Sequence, residues 1–241
     1  MFGKLLTFFF PNPCVVCGKS TDRNRYVCEG CQDKPIYIGR NSVCKTCLSP
    51  IPSGEALCGA CLLSPPRYHR LVSSVYFDGA IRTSLHRYKF RNRPDFSTSF
   101  AKMMCERLTD EGCTDFDLVI PVPLSKERYK ERGYNQSALL AKEIAAHFGA
   151  DYNDQALIRK KETVPQSSLA HKYRAYNVRG AFALTDSRVV SGKHLLLVDD
   201  IFTTGETVRA AVYPLAKHAA RITVCTVARA GHINGIMHED S

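Results

Sequence analysis

The chain has 241 residues, of which 44% are hydrophobic and 23% are charged, and its formal net charge is +10. These values are typical of a folded globular protein and argue against disorder. No segment approaches the roughly 20 consecutive apolar residues that a membrane span requires. The N-terminus shows no small-residue cleavage site, so the sequence predicts a cytoplasmic protein whose cysteines are reduced or bound to metal.

Cysteine is unusually frequent in this sequence, with eleven residues. Eight of them form four C-x-x-C pairs, arranged as an internal repeat of roughly thirty residues. Each repeat supplies four thiolates, which is the ligand set of a tetrahedral Zn²⁺ site with no open coordination position. The sequence therefore predicts one or two structural zinc ions, held by Cys14, Cys17, Cys28, Cys31, Cys44, Cys47, Cys58 and Cys61.

Two alternatives to sequential zinc ribbons stay open at this point. A disulfide framework would need an oxidising compartment, and the sequence shows no export signal. A cross-braced arrangement would combine the first pair with the third and the second with the fourth. The three other cysteines, Cys105, Cys113 and Cys225, have no partner at a metal-binding spacing and are predicted to be core residues.

After residue 66 the pattern changes to strands that alternate with helices. Strands are predicted over 71–77, 117–122, 180–184, 194–198 and 221–228, and helices over 95–108, over 137–148 and after residue 207. This alternation indicates an α/β fold with a mainly parallel sheet, in which ligands bind at the carboxyl ends of the strands. The expected domains are a cysteine-rich unit over 1–64 and an α/β unit over 65–241.

The segment 195–207, LLLVDDIFTTGET, is the most informative part of the sequence. An apolar strand delivers Asp199 and Asp200, and the following loop opens a helix whose free N–H groups form an anion site. Hydroxyls from Thr203, Thr204 and Thr207 and the small Gly205 suit a phosphate, while the carboxylates suit sugar hydroxyls or a metal. A plain capping box of Thr203 with Glu206 is the alternative interpretation. The complete run resembles the phosphoribosyl-pyrophosphate (PRPP) binding motif of type I phosphoribosyltransferases.

Two basic segments match the same chemistry. The segment 125–136 carries Arg132 and Gly133 after a strand and is predicted to be a basic loop for pyrophosphate, with a solvated helix end as the alternative. The segment 159–179 carries six Lys or Arg and one acid, together with His171, Lys172 and Arg174. It is predicted to be a mobile lid, with a plain basic excursion as the alternative.

A third basic segment, 82–93, interleaves five Lys or Arg with Tyr88 and Phe90. Cations for phosphates and rings for bases are typical of single-stranded nucleic acid binding. Arg87, Lys89 and Arg91 are the candidate contacts. On a helix the aromatic side chains would equally face the core.

The order of these motifs resembles the ComF family over essentially the whole chain. The matching features are the four cysteine knuckles, a PVP strand end, RGYNQ, the residues Gln166, Leu169, Arg174 and Asn177, the GAF at 180–182, and LLLVDDIFTTGET. The resemblance implies a double zinc ribbon followed by a type I phosphoribosyltransferase domain, with PRPP and Mg²⁺ as ligands. It also implies a role in DNA uptake and utilisation, with single-stranded DNA and the DNA-uptake machinery as partners.

The resemblance assigns roles to individual positions of this sequence. Asp199 and Asp200 would engage the ribose hydroxyls and the metal. The loop residues Thr203, Thr204, Gly205, Glu206 and Thr207 would bind the 5′-phosphate, and Arg132 and Gly133 the pyrophosphate. The candidate catalytic residues are Asp199, Asp200, Arg132, Lys172 and Arg174.

Two hypotheses of different classes follow from the sequence. In the first, the chain is an Mg²⁺-dependent phosphoribosyltransferase that displaces pyrophosphate from PRPP. In the second, it is a non-catalytic module that handles single-stranded DNA and is regulated by PRPP binding. Both hypotheses require the pocket at Asp199 and Asp200.

Overall fold

The protein is described by a computed structural model that covers residues 12–22, 24–160 and 180–231. Its centre is a five-stranded sheet in which all neighbouring strands are parallel. The strand order is β3 (Arg70–Tyr76), β9 (Arg221–Arg229), β8 (His194–Phe202), β4 (Leu118–Pro121) and β5 (Asp151–Tyr152). The predicted α/β fold with a mainly parallel sheet is confirmed.

Helices cover both faces of this sheet. They are α1 (Gly59–Leu63), α2 (Gly79–Phe90), α3 (Phe96–Asp110), α4 (Lys126–Arg132), α5 (Gln136–Phe148) and α6 (Glu206–Leu215). Helix α5 begins where the side chain of Asn135 accepts a hydrogen bond from the backbone N–H of Ser137, at 3.1 Å. Helices α2 and α4 lie in two of the basic segments, so the segment predicted to be a pyrophosphate loop is helical.

Strand β8 shows how the two faces are built, because it is covered on both sides. Leu196 and Val198 belong to a core shared with α2, α3 and α5, whereas Leu195 and Leu197 belong to a core shared with α6. Alternate residues of a strand point to opposite faces, so the near-continuous apolar run fills both cores.

Two small antiparallel pairs lie outside the central sheet. Strands β1 (Asn12–Pro13) and β2 (Ser20–Thr21) pair with each other in the first cysteine-rich repeat. Strands β6 (Leu157–Arg159) and β7 (Phe182–Leu184) form the other pair. The strand predicted over 180–184 is therefore present, but it does not join the parallel sheet.

The two cysteine-rich repeats pack on opposite faces of the sheet. Cys14, Val15 and Val16 belong to the core of α2 and α3, while Cys44 and Leu48 belong to the core on the α6 side. The chain passes from one face to the other along the edge strand β3. There the backbone of residues 36–38 bonds to β3, through Tyr76 N to Ile36 O at 2.8 Å and Ile38 N to Ser74 O at 3.2 Å.

Candidate functional site

Asp199 and Asp200 lie near the carboxyl end of β8, as the sequence predicts. The Ser137 hydroxyl, in the first turn of α5, donates to Asp199 Oδ1 at 2.9 Å, and the backbone N–H of Asp200 donates to the same oxygen at 2.9 Å. These two bonds fix the orientation of the Asp199 carboxyl. Sequence reasoning missed Ser137, and the only available signal was its position two residues after Asn135, near which the helix was predicted to be capped.

The environment of Asp199 favours its protonated form. Burial is the largest cause and the charge of Asp200 adds to it, so the pKa of Asp199 is raised to about 7. The charge of Lys89 and the hydrogen bonds from Asp200 N and the Ser137 hydroxyl oppose this rise. A bound cation would therefore stabilise the ionised form of this pair of carboxyls.

Asp200 already has a cation beside it in the described structure. The Nζ atom of Lys89 lies 2.7 Å from Asp200 Oδ2, and the side chains of Lys89 and Asp200 are only 18% and 10% exposed. Lys89 is the penultimate residue of α2. The sequence assigned it to a nucleic-acid surface, because no local pattern relates residue 89 to residue 200.

The loop after β8 has the form of an anion site. Gly205 is buried, has a φ of +79° and is the N-cap residue of α6, so no side chain caps the first turn of this helix. The capping box of Thr203 with Glu206 is therefore not formed. The side chains of Thr203, Thr204 and Thr207 are exposed next to this turn, where free N–H groups lie at the positive end of the helix dipole.

Arg132 lines a basic pocket and lies within electrostatic range of Asp200. Its guanidinium stacks on the ring of Phe90, at 4.7 Å from the ring centroid. Burial lowers its pKa, and the charge of Asp200 opposes this shift. The Arg132 Nε atom is buried and has no hydrogen-bond partner among the described residues, and Gly133 ends helix α4 with a φ of +78°.

The pocket itself has a volume of about 270 Å³. It combines three guanidinium groups with one aromatic ring, one hydroxyl and two carboxylates. Its lining residues are Phe90, Ser125, Glu127, Arg128, Glu131, Arg132 and Arg159. Such a lining suits an anionic ligand.

The remaining sequence candidates lie in different places. The Arg87 Nη1 atom donates to the backbone O of Cys17 at 3.4 Å, towards the first cysteine repeat, and Arg91 is exposed. The structure thus separates Arg87, Lys89 and Arg91, which the sequence grouped. Lys172, Arg174 and the predicted lid with His171 lie outside the described residues.

The eight paired cysteines form two clusters in sequential order. The sulfur atoms of Cys14, Cys17, Cys28 and Cys31 all lie within 4.8 Å of one another, and so do those of Cys44, Cys47, Cys58 and Cys61. This arrangement favours two sequential ribbons and excludes the cross-braced pairing. Four cysteine sulfurs at this spacing fit a tetrahedral Zn²⁺.

The two cysteine clusters repeat each other in detail. Cys14 N donates to Lys19 O at 2.7 Å, and thirty residues later Cys44 N donates to Ser49 O at 2.7 Å. Burial raises the pKa of Cys14, but backbone N–H groups of Cys17, Cys28 and Val16 lower it to about 7. Cys44 has the same pKa for the same reasons. Thiolates stabilised in this way are suited to metal binding.

Comparison with known families gives two matches that follow each other along the chain. Residues 5–62 match the family model described as a double zinc ribbon domain, and residues 135–235 match a phosphoribosyl transferase domain. The DNA utilization protein YhgH of Salmonella typhimurium is 31% identical over 185 residues, covering 75% of this chain and 81% of that protein. The chain belongs to the ComF family.

Two further relatives carry the family name directly. Competence protein F of Haemophilus influenzae is 29% identical over 205 residues, covering 83% of this chain and 88% of that protein. Competence protein ComFC of Bacillus subtilis is 28% identical over 222 residues and covers 84% of each chain.

Solved structures show a distant likeness to this ComF-family chain. The glutamine PRPP amidotransferase of B. subtilis has a TM-score of 0.40 and 23% identity, covering 58% of this chain and 30% of that one. The chain thus spans less than a third of the amidotransferase. A purine phosphoribosyltransferase from Pyrococcus horikoshii has a TM-score of 0.36 and 12% identity, covering 60% and 92%. The fold assignment rests on the sheet and the family match.

Residues 63–134 fall between the two matched models. This part of the ComF-family chain contributes Lys89, Phe90 and Arg132 to the site. Among the described residues, no helix is both long and apolar enough to cross a membrane.

Proposed function

We propose that this ComF-family chain binds PRPP together with Mg²⁺ at the carboxyl end of β8. The proposal rests on one observation: two carboxylates, Asp199 and Asp200, lie near the end of β8, and the next element along the chain is α6, whose first turn has no side-chain cap in the described structure. Carboxylates accept hydrogen bonds from the ribose hydroxyls. The helix turn takes the 5′-phosphate, because no side chain in the described part of the chain caps it and its N–H groups lie at the positive end of the dipole.

The loop supplies the groups that a phosphate needs. The hydroxyls of Thr203, Thr204 and Thr207 donate to it, and Gly205 lets it approach the backbone. The proposed PRPP-binding residues are Asp199, Asp200, Thr203, Thr204, Gly205, Glu206, Thr207, Arg132 and Gly133.

The donor set at this position fits Mg²⁺. The ion prefers hard oxygen ligands and binds through one or two carboxylates together with substrate phosphates, and Asp199 and Asp200 are neighbouring carboxylates. Mg²⁺ supplies neutralisation of charge on a leaving pyrophosphate.

We infer that the bound PRPP donates its phosphoribosyl group to an acceptor. The Asp pair holds the ribose ring in a fixed orientation, and Arg132 in the basic pocket stabilises the negative charge that develops on the departing pyrophosphate. Lys172 and Arg174 are proposed as further catalytic cations on the sequence alone.

Titration calorimetry with PRPP in the presence of Mg²⁺ tests this proposal. The wild-type chain is expected to bind, and Asp200→Asn is expected to bind about tenfold more weakly, because one charge-assisted hydrogen bond or metal ligand is lost. Asp110→Asn, a change of an exposed aspartate at the end of α3, is the matched control. A wild-type chain that does not bind PRPP would overturn the proposal. Release of pyrophosphate across a set of acceptors then tests for transfer.

A second function is supported by the exposed part of α2. The names of the relatives refer to DNA utilization and competence. At the surface of the segment 82–93 lie Arg82, Arg91 and the ring of Phe90, which is 46% exposed. We propose that this surface contacts single-stranded DNA. If it does, the logarithm of the affinity falls linearly with the logarithm of the salt concentration, and Arg91→Ala weakens binding. A salt-independent affinity would contradict the proposal.

The organisation proposed for the whole chain follows from these sites. Residues 1–64 form a double zinc ribbon in which zinc is structural, and residues 65–241 form the phosphoribosyltransferase-like unit. We propose that the protein acts in the cytoplasm, with PRPP, single-stranded DNA and the DNA-uptake machinery as partners.

A further inference from the structure

The ion pair of Lys89 with Asp200 is the part of the site that lies outside the transferase match. Lys89 comes from α2, upstream of residues 135–235, and its Nζ atom lies 2.7 Å from the Asp200 carboxylate. The charge of Lys89 also acts on Asp199. The ammonium group of Lys89 therefore interacts electrostatically with both carboxylates that are proposed to bind ribose.

The position of Lys89 differs from that of a surface cation. Its side chain is 18% exposed, whereas Arg91, two residues further on, is exposed. A side chain that is committed to a shielded carboxylate contributes little to a surface for nucleic acid.

The neighbours of Lys89 connect it to the basic pocket. The next residue, Phe90, carries the Arg132 guanidinium on its ring and lines the same pocket as Arg128 and Arg159. The end of α2 thus places one cation on the Asp pair and one ring under the pocket that suits an anion.

PRPP has two parts with different electrostatic requirements at the Asp pair and at the basic pocket. Its pyrophosphate is repelled by two bare carboxylates, while its ribose hydroxyls and the accompanying cation need those carboxylates free of other partners. If the Lys89 ammonium group moves from Asp200 to the pyrophosphate, it offsets the repulsion of the pyrophosphate and frees Asp200 for the ribose hydroxyls and the metal cation.

We propose that Lys89 is a PRPP-binding residue that exchanges its ion pair with Asp200 for a contact with the pyrophosphate group when PRPP binds. The inference rests on the proposed function. Two effects of opposite sign follow from it. Lys89 contributes affinity for PRPP, and it competes with a free divalent cation for Asp200.

Three variants of the full-length, zinc-loaded chain test this inference. Lys89→Met removes the charge at similar length, Lys89→Arg retains it, and Lys142→Met removes an exposed lysine charge from helix α5 as a control. PRPP affinity is measured by calorimetry with Mg²⁺. Affinity for the metal alone is measured with Mn²⁺ by electron paramagnetic resonance, without PRPP.

Lys89→Met is expected to bind PRPP about tenfold more weakly and Mn²⁺ several-fold more tightly than wild type, since one charge-assisted contact is lost and one competitor is removed. Lys89→Arg should recover part of the PRPP affinity, and Lys142→Met should match wild type in both assays. If Lys89→Met does not fold, Lys89→Gln takes its place with the same expectation.

An unchanged PRPP affinity in the neutral variant overturns the inference. A Mn²⁺ affinity that does not rise also overturns it, because a merely structural role of Lys89 would weaken the binding of both ligands. Failure of the proposed function is a separate result, since it appears as absence of PRPP binding by the wild-type chain.

Discussion

Gly205 has two reasons to be glycine at the centre of the proposed phosphate loop. Its φ of +79° is strained for other residues, and a Cβ atom at this position would lie 2.5 Å from Cζ of Phe202. The ring of Phe202 is buried at the end of β8, so it cannot move away without disturbing the core. The shape of the loop therefore depends on one missing side chain.

Gly205→Ala is expected to lower the free energy of unfolding by about 2 kcal/mol or more and to weaken PRPP binding, because backbone strain and a steric clash add together. The matched control is Gly192→Ala, which has a φ of +70° but no atom within 4 Å of the added Cβ. Strain alone should cost about 1 kcal/mol there. Denaturant unfolding measures both changes, and equal losses in the two variants would contradict the role of Phe202.

Asp199 gives a prediction for pH. Its folded pKa of about 7 exceeds its ordinary value of 3.8, so the folded chain holds this proton more tightly than the unfolded chain. The contribution of Asp199 to stability therefore falls as pH rises from 3.8 towards 7 and is constant above that. Asp199→Asn removes this dependence and should gain, relative to wild type, on the order of 2 kcal/mol between pH 5 and 8.

Denaturant unfolding without PRPP and Mg²⁺ measures this difference, and Asp110→Asn provides the comparison for an exposed carboxyl. A wild-type-to-variant difference that stays constant from pH 5 to pH 8 would show that Asp199 has no raised pKa.

Single residues differ in how far sequence reasoning reaches them. The placement of Asp199 and Asp200 at the end of a strand and of Gly205 before a helix could be predicted, because they belong to one continuous motif that follows an apolar strand. The ion pair of Lys89 with Asp200 could not, since it joins positions 111 residues apart in the sequence. The pairing alternatives of the cysteines also needed three-dimensional distances.

Helix α2 is the element that joins the first zinc ribbon to the proposed PRPP site. Its Ser84 hydroxyl donates to Val16 O at 3.0 Å, inside the first C-x-x-C knuckle, and the Tyr88 hydroxyl donates to Gln136 O at 2.8 Å, next to the site. The sequence predicted a basic aromatic segment here and left open whether it was helical. Its buried face, with Ile81, Leu85 and Tyr88, makes it part of the core.

Ser84→Ala is expected to reduce the free energy of unfolding by about 1–3 kcal/mol, because the buried carbonyl of Val16 loses its side-chain donor. Thr83→Ala changes an exposed hydroxyl one residue earlier and should have a smaller effect. Chemical denaturation measures both, and indistinguishable losses would contradict the importance of this contact.

The cysteine clusters predict the metal content. Purified wild-type protein should contain two zinc ions per chain, because the two clusters each offer four sulfurs. Cys17→Ala should leave one zinc ion, while Cys105→Ala, which changes a buried cysteine outside both clusters, should leave two. Elemental analysis of the three proteins provides the measurement, and well under one zinc ion in the wild-type protein would contradict the ribbon assignment.

The whole molecule is organised around β3, the edge strand that both ribbons flank. Residues 36–38 bond to its open side, so its N–H and C=O groups on that side are partly covered. An uncovered edge strand is a template for pairing with other chains. The sequence predicted a ribbon unit and an α/β unit, but patterning within each unit carries no information about how the two meet.

Removal of residues 1–64 is expected to cause aggregation of the remaining chain, because β3 and the apolar surfaces beneath both ribbons become exposed. Size-exclusion chromatography with light scattering compares the truncated and full-length chains. A monodisperse monomer from the truncated chain would contradict this expectation.

The order of strands in the sheet has a consequence for biosynthesis. Within the described residues, strand β3 pairs in the sheet with β9, which is the last strand of that part of the chain. During translation both ribbons and β3 leave the ribosome long before β9 does. Domains fold as units, and zinc ribbons fold when they bind metal. The two ribbons can therefore fold first, and residues 36–38 can cover one side of β3 before β9 is available to pair with it. In this order of events, zinc bound by the two cysteine clusters would help the nascent chain to fold before the proposed ligand site forms.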